Sequence, residues 1–214
     1  MKQIDLMIFD LDGTLVNSGG DIVASVNYTL KSLGIPVMGT EVIIGFVGDG
    51  VQKLIERSLC RDSRDQFDKA MEIFTAYYAE HMLDTTTFYP GVPEILQHFH
   101  DKNKVIITNK RYRFTRAIAE ALDIKKYFDD IIGVDTTPYK KPDSRLLSPL
   151  LERFGAQRER TVVIGDGIND ILLAKNTGAL SCAFLNGLGR RDLLLDQKPD
   201  FVCENISELK SLFC

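Results

Sequence analysis

The four cysteines, Cys60, Cys182, Cys203 and Cys214, lie far apart with no C-x-x-C spacing. That scatter excludes a zinc knuckle and a vicinal redox pair, and free thiols in a reducing compartment are expected. Positive charge is not in excess either: 26 Lys and Arg stand against 30 Asp and Glu, a net charge of -4. No basic field exists to draw in nucleic acid or an anionic membrane, so neither is expected as a partner, and any bound anion must be held locally. The first apolar run, residues 4–9, is interrupted by Asp5 and closed by Asp10. It is too short for a signal-peptide core, and a cytoplasmic protein is expected. Internal repeats, low-complexity tracts and blocks of like charge are also missing.

What is there is an ordinary globular composition, 44% hydrophobic and 26% charged. It argues against disorder, a fibrous repeat or a disulfide scaffold. A chain of 214 residues makes one domain, or one domain carrying a smaller insertion.

Short runs rich in Ile and Val occur at residues 4–9, 104–108, 131–134, 161–164 and 181–185. They are apolar on both faces, as buried parallel strands are. Helical spacing fills the gaps at residues 92–100, 114–122, 144–154, 171–176 and 206–213. Strand then helix, repeated, predicts an α/β fold: a doubly wound, Rossmann-like parallel sheet. Residues 18–87 break the alternation, with amphipathic helical patterns at 22–33, 51–59 and 67–82 and no strong strand. The expected organisation is therefore a catalytic core of residues 1–17 and 88–214 with a small helical cap of residues 18–87 inserted after the first strand.

Ligands of open α/β sheets bind beyond the carboxyl ends of the strands. Asp10-Leu11-Asp12-Gly13-Thr14 follows the first run and Thr108-Asn109-Lys110 the second. Lys140-Lys141-Pro142 precedes the fourth run, and Gly165-Asp166-Gly167-Ile168-Asn169-Asp170 closes it. Two carboxylates about 4 Å apart repel by roughly 4 kcal/mol at an effective dielectric near 20, so a cation is needed. Oxygen-only ligands without His or Cys point to a hard ion, and a site that also takes phosphate favours Mg²⁺. Asp10 and Asp166 would supply carboxylates to it, with Asp170 binding directly or through water.

With a cation and a lysine present, Asp10 can attack phosphorus. Asp12 can then protonate the leaving oxygen and later deprotonate water. Gly13 would turn its amides toward the anion, while Thr14, Thr108, Asn109 and Lys141 would hold the phosphoryl oxygens. His98 and His100 are expected on a solvated surface, and Phe74, Tyr77 and Tyr78 as a helix face packing inside the insertion.

Asp-x-Asp-Gly-Thr, a strand-end Thr, Lys-Pro and Gly-Asp-x-x-x-Asp, in this order, resemble the haloacid dehalogenase superfamily across nearly the whole chain. The resemblance implies that Asp10 is nucleophile and metal ligand, Asp12 general acid/base and backbone metal ligand, Thr108 and Lys141 phosphate binders, and Asp166 the acidic metal ligand. A second aspartate at position 12 implies phosphoryl chemistry in place of carbon–halogen cleavage. Gly45-Phe46-Val47-Gly48-Asp49-Gly50-Val51 with Thr108-Asn109-Lys110 resembles the phosphoglycolate phosphatase subgroup. Gly48, Asp49 and Gly50 would then bring cap amides to a small carboxylate-bearing substrate, and the enzyme would be a monomer or homodimer. A β-phosphoglucomutase-like isomerase and a pyrophosphatase of the same superfamily are the alternatives, with a receiver-like phospho-acceptor a third class.

Overall fold

The computed structural model describes residues 1–59 and 61–214. Six strands form one sheet: β1 (Leu6–Phe9), β4 (Asn103–Ile107), β5 (Asp130–Ile132), β6 (Thr161–Gly165), β7 (Leu180–Phe184) and β8 (Phe201–Cys203). Their order is β5-β4-β1-β6-β7-β8, and every pairing is parallel. A separate ribbon pairs β2 (Val16–Asn17) antiparallel with β3 (Thr87–Phe88). Among the described residues the α-helices are α1 (Gly19–Ser32), α2 (Thr40–Ile44), α3 (Val51–Ser58), α4 (Phe67–His81), α5 (Val92–His98), α6 (Tyr112–Ala121), α7 (Ser148–Phe154), α8 (Ile168–Thr177), α9 (Arg191–Asp196) and α10 (Leu209–Leu212).

The predicted doubly wound sheet is present, because β1 and β6 must bury both faces. Met7 and Phe9 pack into one apolar layer with Ile95, Leu96 and Ile118. Leu6 and Ile8 pack into the other with Leu150, Leu173 and Ala174. Between β1 and β4 the chain builds α1–α4, which share an apolar cluster of their own around Val26, Leu30, Ile43, Ile55 and Phe74. Phe114, from the start of α6, joins that cluster.

Five short elements escape the sequence pattern. The β2/β3 ribbon has two residues per strand, and β8, at the sheet edge, has three. Helices α2 and α9 have five and six residues, too short to show a period. Cys182 and Cys203 are buried free thiols and Cys214 an exposed one, while Cys60 lies outside the described residues. His98 and His100 are exposed as expected. No described helix is long and apolar enough to cross a membrane.

The two segments joining α1–α4 to the sheet are fastened by one side chain. Asp21, 2% exposed at the start of α1, accepts from the amide and hydroxyl of Thr86 (3.0 and 2.7 Å) and from the amide and hydroxyl of Thr85. Thr86 is itself buried, so water cannot replace the carboxylate on that side. Hydrogen bonds to a charged group are worth about 1.5–3 kcal/mol each, and a buried donor left alone costs a similar amount. Asp21→Ala is therefore expected to lower stability by about 2–4 kcal/mol, read as a reduced urea midpoint at unchanged slope. A midpoint within error of wild type would show that the fastening contributes nothing.

Candidate active site

The backbone amide of Asp10 donates to the Ile164 carbonyl at 3.0 Å, continuing the β1–β6 ladder by one residue and fixing the carboxylate at the strand end. Thr108 follows β4 in the same way, its amide bonded to the Ile132 carbonyl. Asp166 follows β6, and Asp170 sits in the first turn of α8. Lys141 comes from the loop between β5 and α7. All five side chains thus meet at the carboxyl edge of one sheet, as parallel topology requires.

Lys141 ties the cluster together. Its Nζ lies 2.9 Å from Asp10 Oδ1 and 2.6 Å from Asp170 Oδ1, with the lysine side chain 2% exposed. Burial works to lower its pKa, and Asp10 and Asp170 outweigh that, holding the ammonium above the usual lysine range. The Leu11 amide gives Asp10 Oδ1 a second donor at 2.8 Å.

Asp166 is held differently, by neutral groups. Thr14 Oγ1 donates to Oδ1 at 2.9 Å, and the amides of Leu188 and Gly189 donate to Oδ2 at 2.8 and 3.0 Å. Burial, reinforced by the charges of Asp10 and Asp170, pushes its pKa up to about 7. Burial likewise raises that of Asp170, against the opposing pull of Lys141.

Asp10, Asp166 and Asp170 each offer an oxygen within 4.8 Å of the others. One lysine reaches two of these three acids, and among the described residues the third has no cation partner. The donor set is all oxygen, buried and short of positive charge, which fits a small hard divalent ion.

Asp12 stands apart from the three. Both its oxygens accept from Lys110 Nζ at 2.9 Å, and Oδ1 also accepts from Ser18 Oγ. Lys110 in turn donates to the Tyr78 hydroxyl at 2.6 Å and lies 4.6 Å from the centre of that ring. Burial acts to lower the Lys110 pKa, but Asp12 and then Tyr78 raise it beyond the ordinary range. Burial pushes the Tyr78 hydroxyl up to about 12, so it stays neutral at physiological pH.

Three of the predicted phosphate binders make hydrogen bonds within the protein. The Gly13 amide donates to the Val16 carbonyl at 2.8 Å. Glycine is required there because φ is +84° and a Cβ would lie 2.0 Å from Asp166 Oδ2. The Thr14 hydroxyl donates to Asp166 Oδ1. The Asn109 side chain bridges backbone groups: it accepts from the Lys141 amide at 3.0 Å and donates to the Gly48 carbonyl at 2.9 Å.

Gly48 and Gly50 do line the cavity that also contains Asp10 and Asp12. Asp49 is paired with Arg57 and with Asn169 Nδ2, the latter at 2.8 Å. Phe74 packs in the α1–α4 cluster as expected, and Tyr77 stacks on Tyr28 and His81. Tyr78 packs there too, but its hydroxyl reaches the site, so it is more than core. Sequence reading also missed Lys110 as the partner of Asp12, Ser18, and the Leu188–Gly189 amides. Only Lys110 carried a signal, as the third residue of the strand-end Thr108-Asn109-Lys110 triplet.

A family model for haloacid dehalogenase-like hydrolases matches residues 7–184. The phosphoglycolate phosphatase of Vibrio parahaemolyticus is 34% identical, covering 97% of this chain and 95% of its own. That of Vibrio cholerae is 33% identical over 98% and 96%. Among solved structures, a predicted phosphoglycolate phosphatase from Haemophilus somnus superposes with a TM-score of 0.94 at 27% identity over 99% of both chains. With a carboxylate cluster at the strand ends and matches along almost its full length, the chain belongs to the haloacid dehalogenase-like hydrolase family.

Proposed function

We propose that the protein is a Mg²⁺-dependent phosphomonoester hydrolase working through a phosphoenzyme on Asp10. The substrate in this reading is 2-phosphoglycolate or a similarly small phosphorylated acid, met in the cytoplasm. The observation that carries it is the contrast between two neighbouring aspartates. Asp10 Oδ1 is pinned by Lys141 and the Leu11 amide within a charge-deficient cluster. Asp12 is held out of that cluster by Lys110 and Ser18. One suits attack on phosphorus, the other proton transfer. The substrate choice is supported by the relatives named phosphoglycolate phosphatase.

Asp10, Asp166 and Asp170 would hold the ion, with the Asp12 backbone as a further ligand. When bound, Mg²⁺ supplies the positive charge that lets a phosphate dianion approach the carboxylates. The Asp10 carboxylate forms a bond to phosphorus as the ester P–O bond breaks, and protonated Asp12 gives its proton to the leaving oxygen. Asp12, now ionised, takes a proton from water; the resulting oxygen nucleophile displaces Asp10, frees phosphate and restores both aspartates. Lys141 and the Thr108 hydroxyl are placed for the phosphoryl oxygens throughout. Residues 18–87 act as the cap and residues 1–17 with 88–214 as the core. The helices α1–α4 share one apolar cluster, and the linkers at either end meet in the β2/β3 ribbon, which supports that division.

Asp10→Asn is expected to abolish phosphate release from 2-phosphoglycolate while the protein stays folded; wild-type turnover by this variant would remove Asp10 as nucleophile. Asp12→Asn should slow turnover by about 10²- to 10⁴-fold, the usual size of lost acid–base catalysis. Release from 2-phosphoglycolate, set beside pyrophosphate and sugar phosphates with Mg²⁺ or EDTA, tests the substrate.

A pH effect follows from Asp166, whose folded pKa of about 7 lies above the ordinary 3.8. Between those values the folded metal-free protein binds more protons than the unfolded chain, so its stability falls as pH rises from about 4 to about 7. A divalent ion favours the ionised form, so the rise in Tm on adding Mg²⁺ should be larger at pH 7.5 than at pH 5.5. Equal rises at both pH values would contradict ion binding by this cluster.

A further inference from the structure

The cavity beside Asp10 and Asp12 has a polar floor and mostly apolar walls, among them Val47, Leu54, Phe74 and Phe114. Cations reach it from Lys110 and Arg111, and Lys141 borders the adjoining hollow around Asp166. Two of these three are already paired with carboxylates of the site. Lys110 holds both oxygens of Asp12, and Lys141 bridges Asp10 and Asp170. Arg111 is different: among the described residues its guanidinium has neither a hydrogen bond nor an ion pair, only its backbone carbonyl being used, at the start of α6.

The nearby charges do not compete for it. Arg111 also borders an outer groove that holds Glu72, but Glu72 is paired with Lys69 at 2.9 Å. Arg113 stacks over Phe114 at 4.4 Å. Asp49, in sequence between the lining residues Gly48 and Gly50, is taken by Arg57 and Asn169. Arg111 thus stands at the mouth between site and groove, half-buried, with five N–H donors and no acceptor.

We propose that Arg111 is the specificity-determining residue of this site, reading a carboxylate on the leaving group of the phosphomonoester. The inference rests on the phosphomonoesterase reading above and extends it from the phosphate to the rest of the substrate. A second anion brought to a cavity already holding Asp10 and Asp12 is repelled unless a cation is free to receive it. Arg111 supplies that cation, and a guanidinium fork matches a carboxylate with two parallel hydrogen bonds. Among the described residues lining the cavity, Arg111 is the cation whose side chain has no hydrogen bond or ion pair, so the choice between acids and neutral analogues falls chiefly to it.

The test compares kcat/KM for 2-phosphoglycolate and for ethyl phosphate, the analogue with a methyl group in place of the carboxylate. Wild type, Arg111→Gln and Arg111→Lys are measured in parallel. Losing a charge-assisted bond should reduce the 2-phosphoglycolate to ethyl phosphate ratio by about 10- to 100-fold in Arg111→Gln. Arg111→Lys, which keeps the charge without the fork, should fall between. Ethyl phosphate turnover by the Gln variant reports that its site is folded. An unchanged ratio overturns the assignment of Arg111 and leaves the phosphomonoesterase reading intact. Loss of both activities in a Gln variant that melts like wild type also overturns it, since Arg111 would then act on the phosphoryl group. Wild-type protein hydrolysing neither phosphate overturns the phosphomonoesterase reading and this inference with it.

Discussion

Three carboxylates, each with an oxygen within 4.8 Å of the others, are brought out of water at the end of a parallel sheet, and the surroundings are arranged to make that tolerable. The sheet cannot avoid the crowding, because β1 and β6 are neighbours in register and each is followed directly by an aspartate. Lys141 answers part of the repulsion by contacting Asp10 and Asp170. Asp166 receives dipoles only, from one hydroxyl and two amides. Neutral donors stabilise a carboxylate less than a cation does, which is why burial still drives Asp166 up to about 7. With three carboxylates against the one ammonium of Lys141, the cluster is two positive charges short, and that deficit, centred on Asp166, fits a divalent ion.

The glycines around the cluster follow from the same crowding. A Cβ on Gly13 would overlap Asp166 Oδ2, and one on Gly189 would lie 1.8 Å from the Asp166 carbonyl oxygen. Both positions bring backbone against the acid so that the amides of Leu188 and Gly189 can reach it. The loop after β7 is therefore as much a part of the site as the Asp-x-Asp segment, although it has no ionisable group facing the cluster.

That loop shows where sequence reading stops. The strand runs were legible because a central parallel strand buries both faces and reads as continuous Ile and Val. The acids were legible because they directly follow those runs. Gly187-Leu188-Gly189 carries no pattern that separates an amide clamp from an ordinary turn. Tyr78 was read from its helical spacing as core, correctly for its ring and incompletely for its hydroxyl, which meets Lys110 32 residues away in sequence. Lys110 and Asp12 are separated by 98 residues. Gly13, Thr14 and Asn109 lie in the neighbourhood expected of them, but the hydrogen bonds they make within the protein carried no signal in the sequence, since proximity to a site follows from topology while hydrogen-bond direction follows from packing.

The contacts made by Lys110 join the helical segment α1–α4 to the sheet, beside the apolar contact that Phe114 makes with the same segment. Tyr78 belongs to the cluster of α1–α4, and Asp12 leaves the end of β1; Lys110, from the end of β4, touches both. A second set of contacts runs through the Gly48 carbonyl, which accepts from Asn109 and Asn169. Asn109 also holds the backbone of Lys141, and Asn169 lies one residue before Asp170. The position of the helical segment relative to the sheet is thus written into the same residues that orient Asp12 and Lys141. Moving α1–α4 away would break hydrogen bonds made by Lys110 and Asn109 and expose their partners to water. Cavity shape and carboxylate orientation are, for that reason, set together by one network.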